Sequence, residues 1–108
     1  MAAKVSKQTL QDAWIGDAVL ALYARERILA QDGTIDGAKA ARMSSNQFLS
    51  TYAEPSHTEA EIGRVFAEQG LDAAYAWINQ NLMPLFDRQE AKREKALGIG
   101  RASQILPK

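Results

Sequence analysis

The chain has 108 residues, 46% of them apolar, and its 13 basic and 13 acidic side chains cancel at neutral pH. That length is one domain with a modest core. The charge balance argues against a protein that coats nucleic acid by bulk electrostatics, and the absence of cysteine excludes disulfides and thiolate-held zinc.

Met1 to Gln8 carries lysines but no apolar secretory core, and no run of about 18 apolar residues follows. No membrane span is expected, and the cytoplasm is the default setting. No stretch alternates apolar and polar residues in the manner of a strand, and no proline interrupts the chain before Pro55. The expected fold class is all-α, a compact helical bundle with short connections. Residues 1–8 form a lead-in, residues 9–86 the helical domain and residues 87–108 a charged, basic C-terminal segment.

The first helix is expected from Thr9, with Thr9-x-x-Asp12 as a capping box, to Ala30, stopping before Asp32-Gly33. A second follows from Asp36 to Tyr52, where Pro55 forbids continuation. A third begins at Ser56, with Ser56-x-x-Glu59 as a capping box, and ends at Gly70. The fourth, Asp72 to Asn81, carries Ala73, Ala74, Trp77 and Ile78 at helical spacing. Pro84 bends or ends it, and a charged fifth segment runs from Arg88 to Leu97 and stops at Gly98. Residues 1–86 hold 7 Lys/Arg against 10 Asp/Glu, whereas residues 87–108 hold 6 against 3. That basic end reads either as a solvated helix terminus or as a phosphate-contacting tail.

The stretch Ala13 to Ala24 is apolar nearly all round, which predicts a helix buried on most sides. Asp17 is its only charge. Leu10, Ala13, Trp14, Leu20, Ala21 and Ala24 lie three, four or seven residues away, which places Asp17 inside the apolar stripe. A buried carboxylate must be paired, protonated or metal-bound, or it bonds the terminus of another helix. Gly16 costs about 1 kcal/mol in a helix interior, so close approach of a second backbone or a ligand is expected there. Glu59 has two readings, as the capping-box partner of Ser56 or as a second site carboxylate. His57, the lone histidine, reads as a surface residue at a helix start. Trp14, Phe48, Phe66, Trp77 and Phe86 read as core side chains.

Three segments, in order, carry a family resemblance. Ala13-Trp14-Ile15-Gly16-Asp17-Ala18-Val19-Leu20 resembles the signature helix of ribonuclease III catalytic domains. Ser45-Asn46-Gln47-Phe48-Leu49 is similar to the family's next helix. The run from Glu59 through Gly63 to Ala74 resembles its second signature. Together they span roughly residues 9–86. The resemblance implies a ribonuclease III endonuclease-domain fold in shortened form, closest to Mini-ribonuclease III. It implies a homodimer that cleaves double-stranded or structured RNA with Mg²⁺ or Mn²⁺, leaving a 5′ phosphate. Asp17 and Glu59 fall on the family's metal-binding, catalytic carboxylates. Arg25, Arg27, Lys39 and Arg42 are the RNA-binding candidates outside the tail, with Lys92 and Arg93 in it. Other acidic positions of the family read Leu10, Ala13 and Ser56 here, and only Ala53-Glu54-Pro55 stands where the family has a further helix and an RNA-contacting loop. Those departures motivate an alternative: a catalytically inactive ribonuclease III-like dimeric module that binds RNA or a protein partner.

Overall fold

The computed structural model describes residues 5–98, and these are helical throughout except for short connections. The first four and last ten residues of the lead-in and basic tail lie outside the described residues. Helix α1 spans Lys7–Asp32, α2 Gly37–Met43, α3 Asn46–Leu49, α4 Pro55–Gln69, α5 Leu71–Asn81 and α6 Met83–Leu97. Among the described residues no helix is long and apolar enough to cross a membrane.

Local chemistry sets each boundary. Helix α1 starts earlier than the Thr9 capping box predicts, because the Ser6 hydroxyl accepts the Thr9 amide at 3.0 Å. Gly33 ends it in the left-handed conformation, φ 73°, which glycine adopts without a Cβ penalty. The expected second helix is two. The Ser45 hydroxyl donates to the Arg42 carbonyl at 2.9 Å and accepts the Phe48 amide at 3.1 Å. This side chain ends one helix and caps the next, replacing the backbone ladder with local bonds.

The Ser56–Glu59 capping box does not form. Glu54 is the cap of α4, and its carboxylate accepts the Ser56 amide at 3.2 Å and the His57 amide at 2.9 Å. Pro55 takes the first helical position, where its missing N–H leaves nothing unsatisfied. Pro84 likewise stands in the first turn of α6, so that helix begins at Met83 rather than Arg88. The break between α5 and α6 is the single residue Leu82.

The core gathers Val19, Leu20, Tyr23 and Ala24 of α1, Met43, Phe48 and Leu49 of α2 and α3, Ile62 of α4, and Ala74, Ile78, Leu82, Met83 and Phe86. Phe48 and Phe86 meet edge to face at 5.2 Å. Trp77 is partly buried and packs edge-on against Tyr52 at 5.8 Å. The other two aromatics expected inside are on the surface: Trp14 is 78% exposed and Phe66 37%. Helix α6 is held by a two-pronged Arg42–Glu90 ion pair, both bonds 2.8 Å, and by Arg27–Asp87 at 3.2 Å.

The closest packing lies between α1 and α4. A Cβ added to Gly16 would stand 1.7 Å from the Glu59 carbonyl oxygen, and one added to Gly63 would stand 1.9 Å from the Asp12 carbonyl oxygen. As α1 advances from Asp12 to Gly16, its neighbour on α4 recedes from Gly63 to Glu59, so the helices run antiparallel. At this seam backbone touches backbone. A methyl group has no flexible neighbour to displace there, because the atoms it meets are carbonyls locked in a helix. Gly63→Ala, which adds only a methyl, should therefore lower the unfolding free energy by at least about 2 kcal/mol. Gly37→Ala, with nothing within 4 Å of its added Cβ, should be neutral or better. Urea titration of both variants checks the contrast.

Candidate functional site

Asp17 directly follows the glycine that touches the Glu59 carbonyl. The α1–α4 contact thus brings the two carboxyls to the same place, as two independent helix positions could not be by chance of side-chain reach alone. Glu59 is half-buried. Its pKa is raised from the ordinary 4.5 to about 7, first by burial, then by the charge of Asp17 and a side-chain hydrogen bond with it, and last by the charge of Glu54. A proton held by Glu59 satisfies that bond and relieves the like-charge repulsion.

Asp17 is exposed, which corrects the expectation of a carboxylate inside a buried stripe. Helix α1 is apolar all round because its far side is bare, not because neighbours enclose it. Leu10, Trp14, Ile15, Leu22 and Leu29 are all exposed. Asp17 stands at the edge between the packed and bare sides. It caps no helix: side-chain caps come from Ser6, Asp36, Ser45 and Glu54, and α5 and α6 have none. The capping of α4 by Glu54 also frees Glu59 from the alternative that the sequence left open.

Two facing carboxylates repel unless a proton or a cation lies between them. Arg64, on α4, is engaged by Glu61 and by Asp12 at 4.0 Å. A divalent cation suits this donor set, since a hard ion takes carboxylate oxygens and keeps several waters, and the exposed Asp17 side leaves room for those waters. Among the described residues no third His, Asp or Glu joins the pair as a ligand group, so most of such an ion's shell would be water or substrate oxygen. His57 is exposed and lines a separate recess with Tyr52, Thr58, Glu61 and Trp77.

The basic candidates are not gathered into one free patch. Arg27 pairs with Asp87, Lys39 with Asp32 and Arg42 with Glu90. Arg25 is exposed and donates to the Ala21 carbonyl of its own helix at 3.3 Å. Lys92 and Arg93 are exposed on α6. A groove of about 550 Å³ between α1 and α2 is lined by Ala21, Arg25, Ile28, Leu29 and Ile35 among others, and contains neither carboxylate of the pair. The roles of Glu54 and Arg64 were missed in the sequence. Pro55 reads in the sequence as forbidding continuation of the second helix, although an acid before proline is equally a start signal.

No family model, curated protein or solved structure matches the chain. The fold and site define an all-helical protein with two neighbouring carboxyl groups, Asp17 and Glu59, on a glycine-lined helix seam.

The raised pKa fixes a pH dependence. Between about 4.5 and 7 the native state keeps a proton that the unfolded chain has released. The folded state binds more protons in that window, so stability falls as pH rises through it. Glu59→Gln removes the titration. Its denaturation midpoint should change less than wild type's between about pH 5 and about pH 8, and should exceed wild type's at the upper end.

Proposed function

We propose that the chain is a shortened ribonuclease III-type domain, a metal-dependent endoribonuclease that cleaves double-stranded or structured RNA as a cytoplasmic homodimer. The observation that carries this reading is the seating of Gly16 on the Glu59 carbonyl, which joins the Asp of the first motif to the Glu of the second. Their electrostatic coupling follows from that contact.

Asp17 and Glu59 would hold Mg²⁺ or Mn²⁺. Such an ion, when bound, lowers the pKa of a water and offsets charge on phosphate oxygens. Asp17 is the carboxyl on the exposed side, open to solvent and to a substrate. Glu59, half-buried behind it, would give up its proton to hold such an ion, so ion binding should strengthen as pH rises through about 7. The α1–α4 seam holds both carboxyls on rigid helices, so neither must be ordered at the moment of reaction. Arg25, Lys92 and Arg93 are exposed for phosphate contact.

A second reading, a catalytically inactive dimeric module binding RNA or a protein partner, is favoured by two observations. No third ligand group joins the acid pair among the described residues, and half of the six basic candidates are neutralised by acids of the same chain.

Labelled double-stranded RNA incubated with the pure protein and Mg²⁺ or Mn²⁺ separates them. Wild type should cut, and Asp17→Asn should cut at least about a hundredfold more slowly while melting as a folded protein. Either ion should raise the melting temperature of wild type but not of Asp17→Asn. Equal cleavage by both would sink the assignment of Asp17. Folded wild type that binds RNA without cutting it would establish the inactive module.

A further inference from the structure

Tyr52 is an aromatic side chain left 41% exposed on a fixed support. It stands in the connection between α3 and α4, where the amides of Tyr52 and Ala53 both donate to the Leu49 carbonyl, at 3.0 and 3.1 Å. The Thr51 hydroxyl closes the same turn by donating to the Phe48 carbonyl at 2.7 Å. The phenol ring meets the indole of Trp77 on α5 with the two planes at 83°. With Ala53, His57, Thr58 and Glu61 the two rings line a recess of about 460 Å³, inside the range of about 300–1,000 Å³ usual for ligand pockets.

We propose that this recess takes an unpaired nucleobase of the RNA, guanine in preference to the other three. The inference rests on the RNA-cleaving reading above and deepens it, because it names which part of a structured RNA the chain selects.

The lining chemistry separates a base from other ligands. A flat group stacked on either ring meets the other ring edge-on, which fixes its plane. Among the described residues, none that lines the recess is lysine or arginine, so a phosphate finds no cation there and is repelled by Glu61. A free cation is also poorly served, since Arg64 bonds Glu61 through Oε1 and offsets its charge. A neutral base needs no net charge, and stacking on aromatic side chains is what holds unpaired bases. The second oxygen of Glu61, Oε2, is not part of the Arg64 bond and acts as an acceptor. Guanine alone offers two neighbouring N–H donors on its Watson–Crick edge. Adenine and cytosine set a lone-pair nitrogen beside their amino group, and the imide N–H of uracil stands between two carbonyls.

The recess is also within reach of the acid pair. Glu61 follows Glu59 by two residues, which places it about 200° around α4 and about 3 Å along it. The recess and the acid pair thus lie on opposite sides of one helix, about 10–12 Å thick with its side chains. A single RNA strand spans that separation in a few nucleotides.

The experiment reads binding without cleavage. RNA duplexes of one sequence, with a single bulged G, A, C or U or with no bulge, are titrated with the protein in EDTA, and fluorescence anisotropy gives each affinity. The bulged-G duplex should bind at least about tenfold more tightly than the unbulged one, and bulged U should gain nothing. Tyr52→Leu removes the stacking ring but keeps apolar cover over Trp77, so it should melt as a folded protein and lose the preference. Glu61→Gln, which sets a donor beside the acceptor, should narrow the preference for G over A. Guanosine monophosphate should shift the Trp77 indole resonance in the NMR spectrum, and tetramethylammonium chloride should not. Equal affinity for bulged and unbulged duplexes, no binding of any duplex, a preference that survives Tyr52→Leu, or a Trp77 resonance that answers to tetramethylammonium and not to the nucleotide would each overturn the inference. Because no metal is present, a failed cleavage assay leaves the bulge preference readable, and a missing bulge preference leaves the assignment of Asp17 and Glu59 as it stands.

Discussion

The direct contact between the backbones of α1 and α4 is the constraint from which the rest of the site follows. Helices packed through ordinary side chains stand about 8–10 Å apart, and at that spacing residues at the seam are held loosely in register. Here Gly16 lies against the Glu59 carbonyl and Gly63 against the Asp12 carbonyl. Two glycines on opposite helices, each filled by the other helix's peptide, leave little freedom to slide or rotate. The unfavourable helix propensity of Gly16 is offset by closer packing, and a registered seam is the result. Every side chain adjacent to the seam inherits that register, Asp17 and Glu59 first among them.

That register has an electrostatic consequence. A carboxylate pair on a half-buried seam stores repulsion that a proton relieves at low pH and that a cation would relieve at high pH. The pKa of Glu59, raised to about 7, puts the changeover near neutrality, where the occupant is set by conditions rather than by the fold. The nearest basic side chain on α4 does not quench the pair, because Arg64 is held by Glu61 and Asp12. The same device appears elsewhere with opposite effect. Arg42 with Glu90 and Arg27 with Asp87 pin α6 to the bundle, so those cations serve the fold instead of a ligand. A charge's role here is decided by which acid its helix brings beside it.

The helical class and the positions of α1, α4 and α5 were legible because they rest on local patterns, apolar periodicity and helix-breaking residues, whereas the juxtaposition of Asp17 with Glu59 was implied only by the resemblance to ribonuclease III domains. The errors share a physical origin in ambiguous side-chain chemistry. Ser56-x-x-Glu59 has the composition of a capping box, yet Glu54 takes the Ser56 amide that the box would use, together with that of His57, and the helix starts a residue earlier. Ser45 was read as an ordinary helical residue, yet its hydroxyl both ends α2 and caps α3. No pattern in a single sequence ranks two competing caps, since the winner depends on where the preceding backbone enters the turn. The Gly16 contact was anticipated as a close approach, but its partner, a carbonyl on α4, is a long-range fact.

The misplacement of Trp14 has a different cause. Periodicity counts apolar residues around a helix but does not say which of them the chain itself covers. Helix α1 is apolar on two sides. One packs on α4 and the core, and the other carries Trp14 at 78% exposure. Asp17 lies where those sides meet, with Trp14 three residues before it and Ala21 four residues after. Anything that covers the bare side must therefore also desolvate the outer flank of Asp17. Desolvation strengthens whatever charge interaction the pair makes, and it raises the cost of leaving the pair without a proton or cation. The acid pair and the bare side are thus coupled through one helix, and the strength of the charge interactions at the pair depends on whether that side is covered.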